Sequence, residues 1–409
     1  MILQIKKGAS MEFQFTEKEL AFRAELEAFI KSALPPDWQE RARSWPGGYG
    51  AMEYDSEQDR QDAEIFKQKM VDEGWFTVSW PKEYGGRGLS NMEQAIYFER
   101  TSYYRAPSLN IATAIMGPTI LQIGTEENKE DWVPGIARGE IEMWLGYSEP
   151  DAGSDLASIR TTAVREGDEY VLNGQKIWSS LAHASNYGWV IARTDPDGHR
   201  HRSVSILVVD NNTPGVAIRP LINIIGVHSF NEVFFDNVRV PARNLIGQEN
   251  MGFYYLMTAL DFERLIVNIG AFKHGLEMLC DYVKQTERGG KPLGKDPHVR
   301  RKLAEIAARV EIAYLFYWRT ATLLDRGKIP SVESSALKLV TTELSRMLAN
   351  ASMEILGPYS LLMDPTQGAP MNGMAPRGYL DCISATIGAG TSEIQRNIIA
   401  TRGLGLPSK

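Results

Sequence analysis

Two cysteines in 409 residues, Cys280 and Cys382, are too few and too far apart for a disulfide scaffold, and neither CxxC nor Cys/His metal spacing occurs. They read as ordinary packed thiols in a reducing compartment, and the expected location is the cytoplasm. The six histidines are scattered, and His199 with His201 occupies a polar turn that reads as a solvated loop before it reads as a metal site, so no metal is expected. Positive charge is also short: 44 Lys+Arg against 51 Asp+Glu give a formal charge of −7, which leaves no footprint for a nucleic-acid backbone or an anionic membrane surface. Any anionic ligand must be held by local groups. No apolar run reaches the length of a bilayer span, and the opening MILQIKKGAS is too short for a signal-peptide core. Absent too are GxGxxG after a strand, GxxxxGK[ST], HExxH and GxSxG, which sets aside the dinucleotide-fold, P-loop, zinc-protease and serine-hydrolase readings.

What is present is a change of period along the chain. With 43% hydrophobic residues, a chain of this length buries several packed layers. Thr16 and Glu19 form a capping box, Leu20, Leu26, Phe29 and Ile30 supply an apolar face, and Pro35-Pro36 stops the helix. A second helix is expected over 57–74, then a Pro/Gly loop in WFTVSWPKEYGGRG, then helix from Met92 to about Gly139. From Glu142 to Gly247, short runs of Val, Ile, Thr, Tyr and Trp alternate with turn residues, which predicts strands at Trp189–Arg193, Ser203–Val209 and Glu232–Val240. Asn173-Gly174 inside EYVLNGQKIW predicts a type I′ hairpin turn. Beyond Met251 the helical period returns, with apolar stripes Leu303, Ile306, Val310, Ala313 and Leu337, Val340, Leu344, Met347, Ala351, the pattern of a bundle. Pro358 to about Arg377 reads as an ordered loop. The expected fold is α+β: a helical region at 1–140, a β domain at 141–250 and a four-helix bundle at 251–409.

Two segments suggest a ligand. In GYSEPDAGSD, Gly146 to Asp155, the pair Gly153-Ser154 offers exposed N–H groups and a hydroxyl on a compact turn, the kind of nest that holds phosphate. Some twenty residues on, Trp178-Ser179-Ser180 place an indole and a hydroxyl on a strand where an aromatic ligand could stack. Taken alone, the first is more often a polar turn and the second more often core.

In order, EPDAGSD, LNGQKIW, FFDNVRVPARNLIG and GTSEIQRN resemble the acyl-CoA dehydrogenase family, and the resemblance runs from about residue 13 to Leu406. It implies that family's three-domain fold, bound FAD, a coenzyme A thioester substrate, an electron-transferring flavoprotein as acceptor, and a homotetramer. It also implies roles by position. Ser148 bonds the flavin pyrimidine edge, Ser154 contacts pyrophosphate and pantetheine, Trp178 covers one flavin face, and Ser180 lies near flavin N5. Thr391 and Glu393 lie beside the flavin at the last helix, and Arg264 joins the substrate site. The family completes each FAD site from a neighbouring subunit through an Arg before GKPL and a Gln-rich segment. Here Arg288 in TERGGKPLG stands closer to GKPL than in many members, and Glu354 in EILGPY replaces the common Gln.

The chemistry needs a carboxylate against the substrate α carbon. Many members carry it as Glu in a Tyr-Glu-Gly-Thr-Ser run, but this chain reads Gly388-Ala389-Gly390-Thr391-Ser392, and Ala389 cannot abstract a proton. A minority, including isovaleryl-CoA dehydrogenase, place the base in a run resembling LDFERL, where Glu263 stands here. On a helix, Leu256, Leu260 and Val267 share a stripe with Glu263, an apolar setting in which desolvation raises a carboxyl pKa. In the family the base position also lends a backbone N–H to the thioester oxygen, which Ala389 retains. Ser392 and Gln395 read as a capping box at the last helix. Relatives of this type often take branched, cyclic or steroid-derived acyl groups. Tyr103 and Tyr104, in YFERTSYYRAP, occupy the region that shapes the acyl pocket floor, though helix packing explains them equally well. Two alternatives stand beside the dehydrogenase: a flavin oxidase or monooxygenase on the same fold, and a non-catalytic subunit of a hetero-oligomer.

Overall fold

Thr16 and Glu19 close the expected capping box at the head of α1 (Glu17–Ala33), whose last turn ends at Leu34, ahead of Pro35 and Pro36. A computed structural model describes residues 14–41, 56–195, 197–263 and 265–407, with the side chains of 260–263 outside that description. Leu26, Phe29 and Ile30 of α1 are buried, but Leu20 is 50% exposed and Phe22 takes its place. The helical period explains the exchange: six residues before Leu26, Leu20 is rotated by about 240°, whereas Phe22 lies one turn away on the same stripe. After the short α2 (Trp38–Arg41), α3 (Glu57–Asp72) packs Phe66 and Met70 against that stripe. The Pro/Gly segment that follows is a loop, yet Trp75, Phe76, Val78 and Trp80 are all buried, so it is part of the core. Then come α4 (Asn91–Tyr103), opened by a second capping box of Ser90 and Glu93, α5 (Gly117–Ile123) and α6 (Glu126–Ala137).

The β region consists of β1 (Met143–Gly146), β2 (Thr162–Glu166), β3 (Glu169–Lys176), β4 (Tyr187–Arg193), β5 (Val204–Asp210), β6 (Val216–Ile222) and β7 (His228–Pro241). They form one sheet in the order β1-β4-β2-β3-β7-β6, with β5 on β4. The expected hairpin turn at Asn173-Gly174 is absent. That pair lies within β3, where Asn173 pairs with Thr162 and Gly174 marks a register shift against β7. The reversal occurs instead at Gly167-Asp168, because Glu166 pairs with Glu169 and Gly167 supplies the positive φ, 64°. Gly174 is required for space: a Cβ there would sit 2.5 Å from Thr161 Oγ1.

The remaining elements are α7 (Gly252–Glu263), α8 (Ile269–Gln285), the two-residue strands β8 (Glu287–Arg288) and β9 (Lys291–Pro292), α9 (Pro297–Asp325), α10 (Ser331–Leu356), α11 (Met374–Ala385) and α12 (Ser392–Ile398). Ile306, Val310, Ala313 and Tyr317 of α9 and Leu337, Leu344 and Leu348 of α10 share one buried core with Leu279 of α8 and Cys382 of α11. The expected irregular stretch is a series of 3₁₀ turns from Gly357 to Gly373, and α11 begins before Arg377. No described helix is long and apolar enough to cross a membrane.

Because α7 ends at Glu263, Val267 lies outside its stripe, in the connection to α8. That connection is held down by a close approach. A Cβ on Gly270 would fall 2.0 Å from the Glu99 carbonyl oxygen and 2.7 Å from the Tyr103 nitrogen, both backbone atoms of α4. Gly270→Ala is therefore expected to force α4 and α8 apart at a cost of about 1–3 kcal/mol. A lower thermal midpoint checks this; an unchanged midpoint would mean the helices separate freely.

Candidate functional site

The two segments that suggested a ligand are brought edge to edge. The Ile177 N–H donates to the Ser148 carbonyl at 3.0 Å, and the turn Glu149–Ala152 closes on itself by bonds of 2.8 and 3.1 Å. Beneath them lies an ion pair absent from the sequence reading. Lys176, with 0% side-chain exposure, donates from Nζ to Glu149 Oε1 at 2.8 Å and to the Tyr147 carbonyl at 3.2 Å. Glu149 also accepts from the Arg160 and Thr161 N–H groups at 2.6 and 3.0 Å. Burial pushes the Glu149 carboxyl up, but Lys176 and these donors outweigh it and hold the group below the ordinary carboxylate value. Burial draws the Lys176 ammonium down to about 8 against the pull of Glu149.

Trp178 and Ser180 lie past the end of β3 rather than on a strand. Trp178 adopts φ 61°, in the left-handed region, and its indole is 60% exposed, touching the Phe230 ring edge-on at 6.0 Å. The bland reading of a core tryptophan is therefore excluded. Ser148 and Ser180 are half-buried and Ser154 is exposed, while a Cβ on Gly153 would meet nothing within 4 Å. Asp155, next to Ser154, is ion-paired with Arg200. His199 and His201 lie 5.6 Å apart by ring centroids, and among the described residues no cluster of three or more His, Cys, Asp or Glu is placed to hold a metal.

At the other end of the chain, Ala389 adopts φ 51° and Gly390 φ 82°. Gln395 Nε2 donates to both of their carbonyls, at 3.4 and 3.3 Å. Among the described residues the Ala389 N–H has no acceptor. The cap of α12 is Thr391 rather than Ser392: Thr391 Oγ1 accepts from the Ile394 N–H at 3.2 Å, because Ser392 is already the first helical residue and bonds Glu343 at 3.3 Å. Glu393 is exposed and pairs with Arg396 at 3.6 Å.

The Glu263 side chain and Arg264 lie outside the described residues; the Glu263 backbone is the last position of α7. Three residues on, Ile266, Val267 and Asn268 line a cavity of about 40 Å³ with Phe98, Thr101, Ser102, Ala106, Ser108 and Leu109. Tyr103 and Tyr104 are not in that lining. Their hydroxyls tie helices together, Tyr103 to Glu277 at 2.7 Å and Tyr104 to Glu27 at 3.5 Å. Burial, then Glu277, pushes the Tyr103 phenol up to about 12. Arg288 donates to the Ile355 carbonyl, beside the left-handed Gly357, so the two expected subunit-completing segments meet. Glu354 is engaged by Lys302 at 2.6 Å and approaches His298 at 3.9 Å. Among the described residues Arg288 makes no side-chain bond to the Ser148–Trp178 edge.

Three family models match in sequence: the acyl-CoA dehydrogenase N-terminal domain over residues 16–140, the middle domain over 145–238 and the C-terminal domain over 250–404. The chain is 34% identical to acyl-CoA dehydrogenase FadE26 of Mycobacterium tuberculosis over 409 aligned residues, covering 97% of this chain and 99% of that one. Among solved structures, the ChsE4-ChsE5 complex from Mycobacterium tuberculosis superposes with a TM-score of 0.86 at 32% identity, covering 98% of this chain and 100% of the other. The steroid ACAD Tcur3481-Tcur3483 does so with a TM-score of 0.86 at 31% identity and the same coverage.

Lys176→Met is expected to cost about 3–5 kcal/mol, because it leaves Glu149 buried and unpaired, and adding Glu149→Gln should recover part of the loss, since the amide removes the stranded charge but offers one oxygen to the two N–H groups of Arg160 and Thr161. The pH dependence has a defined sign. A carboxyl held below its unfolded pKa contributes stability that is present above that value and lost as pH falls through the folded one. Thermal midpoints from neutral to acid pH should thus fall less steeply in the double variant than in the wild type, with Glu27, Asp62 and Glu93, also held low by their partners, supplying the remaining acid-side loss. Equal midpoints for the single and double variants would refute the pairing.

Proposed function

Because this chain belongs to the acyl-CoA dehydrogenase family, whose members are FAD-dependent flavoproteins acting on CH–CH groups, we propose that it removes two hydrogens from the α and β carbons of a bulky, branched or cyclic acyl-CoA thioester. The observation that carries the reading is the exposed Trp178 indole, held in a strained backbone beside Ser148 and Ser180. Exposing so much apolar surface at a backbone position that itself costs energy makes sense if a planar ligand covers it. The open Gly153-Ser154 turn suits the phosphate end of the same ligand. These residues fit FAD.

In this assignment Ser148, Trp178 and Ser180 hold the flavin ring, Ser154 the pyrophosphate and the pantetheine arm, and Thr391 and Glu393 border the site from α12. Bound FAD supplies the hydride acceptor for the β carbon. Glu263, the last residue of α7, takes the α proton, with Arg264 adjoining the substrate. The unpaired N–H of the exposed Ala389 polarises the thioester oxygen and so acidifies that proton. Tyr103 and Tyr104 act from outside the cavity, through the helices they join. Arg288, bound to its own bundle, serves the FAD site of a neighbouring subunit, with Glu354 beside it.

An electron-transferring flavoprotein would serve as the acceptor for the electrons that bound FAD takes up. A homotetramer satisfies the subunit-completing role of Arg288. A second reading, assembly with a different but related chain, is favoured by the two-chain composition of the ChsE4-ChsE5 and Tcur3481-Tcur3483 neighbours, and the steroid description of the latter supports a bulky acyl group. The purified chain should be yellow, and its oxidised-flavin absorbance should bleach anaerobically with a branched or steroid-derived acyl-CoA faster than with straight-chain ones. Rapid reoxidation of the reduced, product-bound protein by oxygen would instead mark an oxidase. A colourless protein that FAD does not restore would refute the reading, and its mass in solution distinguishes the two assemblies.

A further inference from the structure

Trp178 and Leu181 bracket two serines with left-handed backbones, φ 61° and 58°, and neither is glycine. Such conformations persist only where the surroundings over-determine them. Here the surroundings are β7. The Ser179 N–H donates to the Asn231 carbonyl and the Leu181 N–H to the Ser229 carbonyl, each at 3.1 Å. The Asn231 side chain, with the residue 0% exposed, closes the clip from the opposite direction: Nδ2 donates to the Ser179 carbonyl at 3.0 Å.

The rest of that amide is also committed. Nδ2 donates its other hydrogen to His183 Nδ1 at 3.1 Å, and Oδ1 accepts from His228 Nε2 at 2.8 Å. The two imidazoles stack at 3.6 Å between centroids with 16° between planes. Two donors and one acceptor are therefore matched to two acceptors and one donor, and a reversed amide would set N–H against N–H. Ser179 is the centre of the clip. Trp178 and Ser180, its neighbours, emerge on the accessible side, the first 60% exposed and the second half-buried.

We propose that Asn231 is a positioning residue for the flavin face, fixing Ser179 by paired backbone and side-chain bonds so that Trp178 and Ser180 present their indole and hydroxyl to FAD. The inference rests on the proposed flavin site. Asn231 touches no ligand itself. Its effect runs through the segment it holds, and loss of the amide leaves the buried Ser179 carbonyl without its side-chain donor.

The test uses FAD-loaded protein and compares Asn231→Ala, Asn231→Asp and His183→Ala. Asn231→Asp keeps the acceptor for His228 and lets His183 turn its proton to Nδ1, but it cannot donate to Ser179. Both Asn231 variants should release FAD with about a tenfold weaker affinity and show a shifted visible circular dichroism band of the bound flavin, with far-ultraviolet spectra unchanged. His183→Ala, which leaves the Ser179 clip intact, should keep the wild-type flavin band. A wild-type band and affinity in Asn231→Asp would overturn the proposal, as would a loss in His183→Ala as large as in Asn231→Asp. If the wild-type protein binds no FAD, the flavin reading itself has failed, which is a separate result.

Discussion

A lysine ammonium with 0% side-chain exposure and one carboxylate partner holds the edge of the β region on which the proposed chemistry depends. Removing either charge from such a pair strands the other in a poorly solvating interior, so the pair acts as a constraint on geometry more than as a source of stability. Glu149 bonds Lys176 from β3 and two N–H groups at Arg160 and Thr161, and so places three separate stretches of chain at once. Ser148 and Ile177, the residues flanking the pair, then meet through their backbones. The exposed residues of the edge sit on a base that cannot shift without unpairing a charge.

Local signals were legible where the physics is local. The Thr16/Glu19 box, the stop before Pro35, the strands β4, β5 and β7 and the buried stripes of α9 and α10 follow from capping, period and burial within one element. The helix–sheet–helix order follows from the same signals. Errors arose where neighbours in space override neighbours in sequence. Asn173-Gly174 has strong turn chemistry, but Thr161 needs the space at Gly174 and Gly167 provides the turn. Val267 matches the α7 stripe, but the helix ends at Glu263 and the close approach at Gly270 starts a new one.

The site was legible in part. Trp178 and Ser154 drew attention by type and setting, and the structure leaves both exposed. Glu149, Lys176 and Asn231 gave no signal, because each acts through a partner 27 to 52 residues away. The free N–H of Ala389 sits on a left-handed backbone, which a residue name does not reveal. A Gly-Ala-Gly run looks like a loss when the side chain is considered and like a retained donor when the backbone is.

The proposal therefore divides the reaction between two backbone origins. Ala389 polarises the thioester and Glu263, from the end of α7, removes the proton. Anaerobic stopped-flow mixing of FAD-loaded Glu263→Gln with the acyl-CoA that bleaches the wild-type flavin tests this most directly. The amide keeps the shape but accepts no proton, so the rate of flavin bleaching should fall about a hundredfold to ten-thousandfold with FAD content and acyl-CoA binding retained. Bleaching at the wild-type rate would contradict the assignment.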